Sequence, residues 1–383
     1  MKTRLSVAAL IVVSAASALA DQPLYRITIV EPTAGDLASF AYSINNNGQV
    51  AGISYTTSNV SITRGRAMYY DGGVSSLIGG GISRSQAYDI NAAGQVAVQS
   101  IASGIAGAYR YDSNTNTVTT LDGSGAVARG IAGNGMMVGT FGSDDHKLPV
   151  SWGPGSAAMS LINTESGVPQ GYVYAANENG QVLGFDDYLN NPGGAFSPTQ
   201  DSWVWQNGNY IDLNRPSGQW SQAYALNESG QAVGVVTADG TSEYQVALWD
   251  YSSGTANCTL LTDFANKFMP TAINNSGAIV GNEGFWQRYA TNFTGSNAFL
   301  YQDGMQYNLN TLLDQTDAIT AGFTITGAMD INDKGQIVGL GVDASGRKVG
   351  YIATLAQPVP EPASLLAMGG FLSAMALRRR RRS

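Results

Sequence analysis

One short pattern occurs seven times along this chain of 383 residues. The pattern begins with a small residue, an apolar residue and a position that is usually Asn. Two spacer residues, a Gly and a position that is usually Gln follow. It ends with an apolar pair and, in most copies, a second Gly. The intervals are 46, 41, 45, 50, 47 and 58 residues, and the copies centre on Gly48, Gly94, Gly135, Gly180, Gly230, Gly277 and Gly335. Self-similarity at a period of about 40–50 residues indicates one supersecondary unit repeated in series, so the pattern predicts a repeat architecture.

Each copy predicts a β-hairpin. In the first copy residues 42–44 are extended, Asn45 to Gly48 form the turn, and residues 49–54 return. An Asn side chain accepts hydrogen bonds from its own downstream backbone, and Gly supplies the positive φ that closes the reversal. The Asn is present in six copies, at Asn45, Asn91, Asn177, Asn227, Asn274 and Asn332, and the third copy has Ala132.

A second Gly follows the first by four residues in six copies, at Gly52, Gly139, Gly184, Gly234, Gly281 and Gly339, while the second copy has Val98. Within a strand such a Gly indicates a bulge or a close approach of another backbone.

Two further extended segments follow each hairpin. A third segment ends in an aromatic residue at 67–70, 108–111, 150–152, 203–205, 247–249 and 298–301, and a fourth carries a Leu. Helical periodicity is absent. Four short strands per unit of about 48 residues predict an all-β fold, a seven-bladed β-propeller of four-stranded antiparallel blades.

The two ends of the repeat series are complementary. The seventh unit has only three strands, and the segment Leu24 to Val30 is a strand that precedes the first unit. Pairing this strand into the last unit closes the ring and removes two exposed sheet edges. The alternative is an open β-solenoid, which does not need the extra strand.

The first twenty residues predict a secretory signal peptide. Lys2 and Arg4 supply positive charge, residues 5–13 are nearly all apolar, and residues 18–20 fit an A-x-A cleavage site. The apolar stretch is too short to span a membrane. The repeat domain is therefore expected at residues 21–357.

The last 26 residues, 358–383, form a second targeting segment. A Pro-Glu-Pro motif precedes an apolar stretch of 15 residues, and five arginines follow; these are Pro360, Glu361, Pro362 and Arg378, Arg379, Arg380, Arg381, Arg382. The segment resembles the PEP-CTERM sorting signal of exopolysaccharide-producing Gram-negative bacteria. The resemblance implies Sec-dependent export, recognition by an exosortase with transient membrane contact, and removal of the tail. The alternative is a plain membrane anchor.

The repeats also resemble the HAF repeat of extracellular bacterial proteins. Residues 298–301 match its A-F-[LVI]-[WY] strand, and residues 331–339 match its I-N-x-x-G-x-[VI]-x-G hairpin. The His of that motif is replaced here by Asn297. The resemblance implies an exported propeller-like protein and implies no activity.

Composition restricts the chemistry. Residues 21–357 contain 13 Lys and Arg against 27 Asp and Glu, a net charge of about −14 that makes nucleic acid an unfavourable partner. Cys258 is the only cysteine and is expected to be a small buried apolar residue, so no intramolecular disulfide forms. His146 is the only histidine, which excludes a His-cluster metal site and makes a Ser-His-Asp triad depend on one residue in a polar loop.

Long links between strands are the expected binding regions, because binding residues concentrate on loops held by a rigid scaffold. The links 185–202 and 282–297 carry aromatic and acidic candidates for sugar stacking and hydrogen bonding: Asp186, Asp187, Tyr188, Phe196, Phe285, Trp286, Tyr289 and Phe293. The alternative is that these aromatics pack their own loops shut. Asp186 and Asp187 could bind Ca²⁺ through oxygen ligands, although solvated acids are favoured and no cofactor is expected.

These observations predict an exported, non-catalytic matrix or binding protein, associated with exopolysaccharide or biofilm at the cell surface. A polysaccharide-active glycoside hydrolase or lyase is the alternative, since two suitably spaced carboxylates suffice for hydrolysis. A tethered adhesin is a third possibility. Asp89 and Asp330 share one repeat position, but Ser43 and Ala225 occupy it in other copies, so no ring of acids is expected at the axis.

Overall fold

The protein is a closed seven-bladed β-propeller, as the repeats predict. The computed structural model describes residues 22–58, 60, 64–142, 147–162, 171–186, 202–214, 219–238, 244–261, 268–284 and 297–356. These residues form seven four-stranded antiparallel sheets, each in sequential strand order except the last. The expected signal peptide and sorting segment lie outside the described residues.

The first three blades each consist of four consecutive strands. Blade 1 contains β2 (Ala38–Ile44), β3 (Val50–Tyr55), β4 (Gly65–Asp71) and β5 (Val74–Leu77). Blade 2 contains β6 (Ser85–Ile90), β7 (Gln95–Ser100), β8 (Gly107–Asp112) and β9 (Thr117–Thr120). Blade 3 contains β10 (Val127–Ile131), β11 (Met137–Phe141), β12 (Leu148–Trp152) and β13 (Met159–Leu161).

The next three blades repeat this arrangement. Blade 4 contains β14 (Gly171–Ala176), β15 (Val182–Asp186), β16 (Ser202–Gln206) and β17 (Asn209–Asp212). Blade 5 contains β18 (Gln219–Leu226), β19 (Gln231–Ala238), β20 (Gln245–Asp250) and β21 (Asn257–Leu260). Blade 6 contains β22 (Phe268–Ile273), β23 (Ile279–Glu283), β24 (Ala298–Gln302) and β25 (Met305–Asn308).

Blade 7 is assembled from both ends of the repeat series. It contains β26 (Thr324–Ile331), β27 (Ile337–Val342) and β28 (Lys348–Leu355), and its outer strand is β1 (Tyr25–Val30). The β1–β28 register runs antiparallel from Tyr25 opposite Leu355 to Val30 opposite Gly350. The predicted closure by the N-terminal strand is therefore confirmed.

Side-chain contacts reinforce the β1 closure. Tyr25, Ile27 and Val30 are buried, the first two in the core between blades 6 and 7 and the third between blades 7 and 1. Arg26 pairs with Asp314 at 2.9 Å. Hydrogen bonds from Thr316 and then from Arg26 lower the pKa of Asp314 to about 2. Through this ion pair Asp314 helps to hold β1 in blade 7, which closes the ring.

The core lies between blades. One cluster joins Ala51 and Tyr69 of blade 1 to Val96 and Tyr111 of blade 2, and similar clusters lie at other blade boundaries. Apolar residues therefore alternate toward the two neighbouring blades along the middle strands. Helical structure in the described ranges is limited to single turns, the four-residue helix α1 (Ala318–Ala321) and two 3₁₀ turns, and none could cross a lipid bilayer.

The two faces of the disc differ. In blades 1 to 6, the turns after the first and third strands lie on one face, called here the tight-turn face. Connections after the second and fourth strands lie on the other, the long-link face. Blade 7 places the end of β28 and the start of β1 on the tight-turn face, where the Ala356 amide donates to the Leu24 carbonyl at 2.7 Å.

Candidate functional site

In the six repeats that have it, the Asn shapes the tight turn, as predicted. The Asn45 Oδ1 accepts from the amides of Asn47 and Gln49, and its backbone carbonyl accepts from Gly48. Gly48 has a φ of 81°, a conformation that a Cβ disfavours. The bond from the amide four residues on recurs in the other Asn-containing repeats, so this Asn is the local reason for the hairpin.

The same Asn also joins neighbouring blades, a contact that the sequence did not reveal. Asn45 Nδ2 donates to the carbonyl of Asn91 at 2.9 Å, and Asn91 Nδ2 donates to that of Ala132 at 2.9 Å. Equivalent bonds run from Asn177 to 227, 227 to 274, 274 to 332, and 332 back to 45. Six side chains thus form a ring of inter-blade bonds around the axis, interrupted after blade 3.

A second circle of contacts lies beside this ring. Its members are the residues that directly follow the turn Asn of each repeat, or Ala132 in blade 3. They are called here the rim: Asn46, Ala92, Gly133, Glu178, Glu228, Asn275 and Asp333. Backbone amides of the rim donate to side chains of the neighbouring rim residue, for example Asp333 to Asn46 and Asn275 to Asp333, each at 2.9 Å. The rim is consequently a preorganised circle of amide and carboxylate groups.

Blade 3 interrupts both circles, and Glu178 spans the interruption. Gly133 leaves room for Glu178, because a Cβ at position 133 would collide with that carboxylate. Glu178 Oε1 accepts from the Ala92 amide of blade 2 at 2.7 Å. Desolvation raises the pKa of Glu178, and the neighbouring charge of Glu228 raises it further against the lowering effect of the Ala92 bond.

The first strand of every blade contains a bulge, and in five blades the skipped residue lines the axis. Each first strand shifts register relative to its partner at the same repeat position. The residues skipped at this position are Tyr42, Tyr88, Arg129, Tyr174, Tyr224, Thr271 and Met329, of which five line a central channel. A bulge reorients side chains locally, so that the skipped residue and the residue after it both line the channel, as Tyr88 and Asp89 do.

The channel is the candidate functional site. Its outer part, the mouth, opens among the rim residues with a volume of about 320 Å³. Its inner part, the inner section, has a volume of about 100 Å³. Ser43, Asp89, Ala176 and Asp330 line both parts, so the two are continuous.

The wall of the inner section has a polar side and a mainly apolar side. Blades 7, 1, 2 and 3 contribute Asp330, Ser43, Asp89 and Arg129. Blades 4 to 6 contribute small or aliphatic residues to the same cavity, including Ala175, Ala225 and Ala272 as well as Leu226 and Ile273. The pseudo-sevenfold backbone therefore carries a strongly asymmetric set of side chains.

The two carboxylates of the inner section, those of Asp89 and Asp330, hold neighbouring blades together. Asp89 Oδ2 accepts from the Ile131 amide of blade 3 at 2.9 Å, and its Oδ1 accepts from the Ser43 hydroxyl of blade 1 at 3.0 Å. Asp330 Oδ2 accepts from the Ile44 amide of blade 1 at 2.9 Å. The structure thus brings together two acids that the sequence did not place at the axis, and it uses them as inter-blade acceptors.

Two tyrosines, Tyr42 and Tyr88, line the inner section. The Arg129 guanidinium lies 4.9 Å from the ring centroid of Tyr88, a cation–π distance. Tyr42 meets Tyr88 edge-on with centroids 5.6 Å apart. Tyr55 packs in the same cluster, is fully buried, and its hydroxyl has no hydrogen-bond partner among the described residues. Burial, and secondarily Tyr88, raises the pKa of Tyr55.

The predicted loop candidates fall mostly outside the described residues: Asp187, Tyr188, Phe196, Phe285, Trp286, Tyr289 and Phe293, as do His146 and the sorting-motif residues. Asp186 is described, and it is buried with its Oδ1 accepting from the Trp203 indole at 2.8 Å. Cys258 is half-buried in β21, where burial raises the pKa of its thiol to about 11. Within the described ranges no three His, Cys, Asp or Glu side chains form a group that could hold a metal ion.

A repeat alignment could have located the channel residues. The skipped residue lies six positions before the turn Gly in every copy, and four of the seven are Tyr. That recurrence is visible in the sequence, but the bulge that turns these side chains inward is not.

Fold and site together define a closed β-propeller with a largely acidic axial channel. The profile of a family described as "Protein of unknown function (DUF3466)" matches residues 155–349, about half of the chain. The chain belongs to this family. A comparison of the whole chain with curated proteins found no match.

Solved structures share the fold at low identity. The β-propeller domain of the Trilobed protease from Pyrococcus furiosus, described as an open velcro topology, superposes with a TM-score of 0.54 at 9% identity, covering 85% of this chain and 100% of that domain. An oligogalacturonate lyase in complex with manganese gives 0.54 at 11% identity, covering 88% and 95%. An oligogalacturonate lyase from Vibrio parahaemolyticus gives 0.52 at 10% identity, covering 89% and 95%. Similarity at this level is a similarity of fold alone.

Proposed function

We propose that this protein is an exported, non-catalytic binding protein that associates with exopolysaccharide at the cell surface or in the surrounding matrix. The observation that carries the proposal is the use of Asp89 and Asp330 as inter-blade acceptors. A glycosidase needs one carboxyl group to donate a proton and a second to act as base or nucleophile. Carboxylates fixed by backbone amides are suited to holding a scaffold rigid, and a rigid scaffold is what a binding protein requires.

Export and processing are part of the same proposal. The signal-peptide pattern in residues 1–20 and the PEP-CTERM resemblance of residues 358–383 support export through the Sec machinery and handling by an exosortase. The acidic composition supports a partner that is not an anionic polymer. Mass spectrometry of the mature C-terminus tests the processing: loss of the arginine cluster is expected, and an intact tail on surface-bound protein would instead favour a tethered adhesin.

A glycan-binding experiment tests the binding function. The exported protein is applied to an array of polysaccharides that includes the polymer of the producing cells, and the supernatant is assayed for new reducing ends and unsaturated uronates. Retention on at least one polysaccharide without product release is expected. Retention on none, or release of product, would contradict the proposal.

A polysaccharide-active hydrolase or lyase is the second candidate. It is favoured by the presence of Asp89 and Asp330 in one cavity, and by the similarity of fold to oligogalacturonate lyases. Product release that is lost in Asp89→Asn, and kept in the exposed control Asp122→Asn, would establish this candidate. Equal release by both variants would place the activity elsewhere.

A further inference from the structure

The axial channel has the dimensions of a small ligand site. All seven blades contribute to the wall of its mouth, which has a volume of about 320 Å³. A cavity of about 150 Å³ is enough for one six-membered ring. The mouth therefore has room for one or two sugar rings, entered along the axis from the tight-turn face.

The channel offers the chemistry that recognises a polyhydroxylated ring. Carboxylate and amide oxygens of the rim accept hydrogen bonds, Arg129 and Asn side chains donate them, and phenol rings form part of the inner wall. The opposite wall, on blades 4 to 6, carries the apolar residues Ala176, Leu226 and Ile273, which line both the mouth and the inner section. This combination of one polar and one apolar wall matches the polar edges and apolar faces of a sugar.

The charge of the channel selects among sugars. Five carboxylates line it, those of Asp89, Asp330, Glu178, Glu228 and Asp333, against the single guanidinium of Arg129. A cleft lined by charge of one sign concentrates its field, so carboxylated sugars are repelled and ammonium groups are attracted.

We propose that the axial channel, entered from the tight-turn face, binds the end of a neutral or amino-sugar glycan chain and excludes uronate glycans. The inference rests on the proposed glycan-binding function, and it replaces the long-link face with the channel as the place of recognition. The ligand enters end-on, because the mouth lies on the axis and is surrounded by the rim.

Isothermal titration with defined oligosaccharides tests this assignment. The probes are neutral glucose oligomers, glucosamine oligomers with free ammonium groups, and galacturonate oligomers. Binding is expected for at least one of the first two probes and not for the third. Binding of galacturonate alone, or stronger than both others, would overturn the selectivity.

Two tryptophan variants locate the site. Ala176→Trp places an indole in the channel, whereas Ala158→Trp places one on an exposed turn of the same face, away from the axis. At least a tenfold loss of affinity is expected in the first variant and none in the second. Equal binding by both variants would overturn the channel assignment while leaving the proposed function intact. Absence of all glycan binding by the unaltered protein would instead contradict both.

A charge variant keeps the test decisive if Ala176→Trp fails to fold. Glu228→Lys changes a rim side chain whose described contact is one 3.2 Å bond from the Glu178 amide. We expect it to weaken glucosamine-oligomer binding at least threefold, with less effect at high salt. Glu283→Lys, on the described part of blade 6 outside the channel, is the control. Unchanged binding in both would contradict the channel assignment.

Discussion

The ring is closed in two ways, and the two closures have opposite designs. At blade 7, one strand from the start of the series completes the last sheet through a continuous antiparallel ladder and buried side chains. At the axis, six Asn side chains each make one inter-blade bond, and the ring tolerates Ala132 at the seventh place. Closure by one strand concentrates the stabilisation at one boundary, whereas closure by a repeated side chain distributes it.

The largest effect is therefore expected at β1. Ile27→Ala removes a buried side chain from the core between blades 6 and 7. We expect a loss of about 3 kcal/mol and a fall in Tm of about 6 °C, measured by calorimetry. Thr28→Ala, at the exposed neighbouring position, is the control and should change Tm by less than about 1 °C. Equal Tm values for both variants would mean that β1 does not hold the ring closed.

An intermediate effect is expected for one member of the Asn ring. Asn332→Ala removes the turn bonds to Lys334 and Gln336 as well as the bond to the Asn45 carbonyl. We expect a loss of about 2 kcal/mol in urea unfolding. Asn134→Ala is the control, because this exposed side chain accepts only from Met136. If Asn332→Ala lowered the free energy of unfolding as little as the control does, then Ala132 would not destabilise blade 3 relative to an Asn at that position.

The smallest effect concerns the carboxylate that spans blade 3. Because desolvation, with a further contribution from Glu228, raises the pKa of Glu178 in the folded state, the folded protein binds this proton more tightly than the unfolded chain. Stability therefore falls as the pH rises through the unfolded pKa of about 4.5 toward neutrality.

Glu178→Gln removes this dependence and keeps an oxygen for the Ala92 amide. We expect a Tm about 1 °C above that of the unaltered protein at pH 7, and no difference near pH 4, measured by scanning fluorimetry. The exposed Asp122→Asn is the control. A lower Tm at pH 7 would show that the charge of Glu178 stabilises the interrupted boundary.

The sequence predicted the blade count, the strand order and the closure because each depends on a local signal. Gly48 and its equivalents have to adopt positive φ, Asn45 and its equivalents have to cap the turn, and the surplus strand Leu24 to Val30 matches a missing one. The second Gly was correctly linked to close backbone approach: a Cβ at Gly52 would collide with the Phe40 carbonyl opposite the bulge.

The candidate site was much less predictable. The prediction was that binding residues lie in the long links. Of the candidates there, Asp186 makes a buried hydrogen bond with Trp203, and the others lie outside the described ranges. The channel side chains are separated by some 45 residues in sequence, and Tyr88 and Arg129 meet only because adjacent blades curve around one axis.

By itself, then, the chain determined a repeated hairpin, its period and its means of closure, since turn chemistry and alternation act over a few residues. The tertiary structure alone decided which side chains face the axis, because a one-residue bulge redirects them and ring closure brings distant copies together. For the same reason Asp89 and Asp330, alike in repeat position, acquire their roles only from the neighbouring blades whose amides they accept.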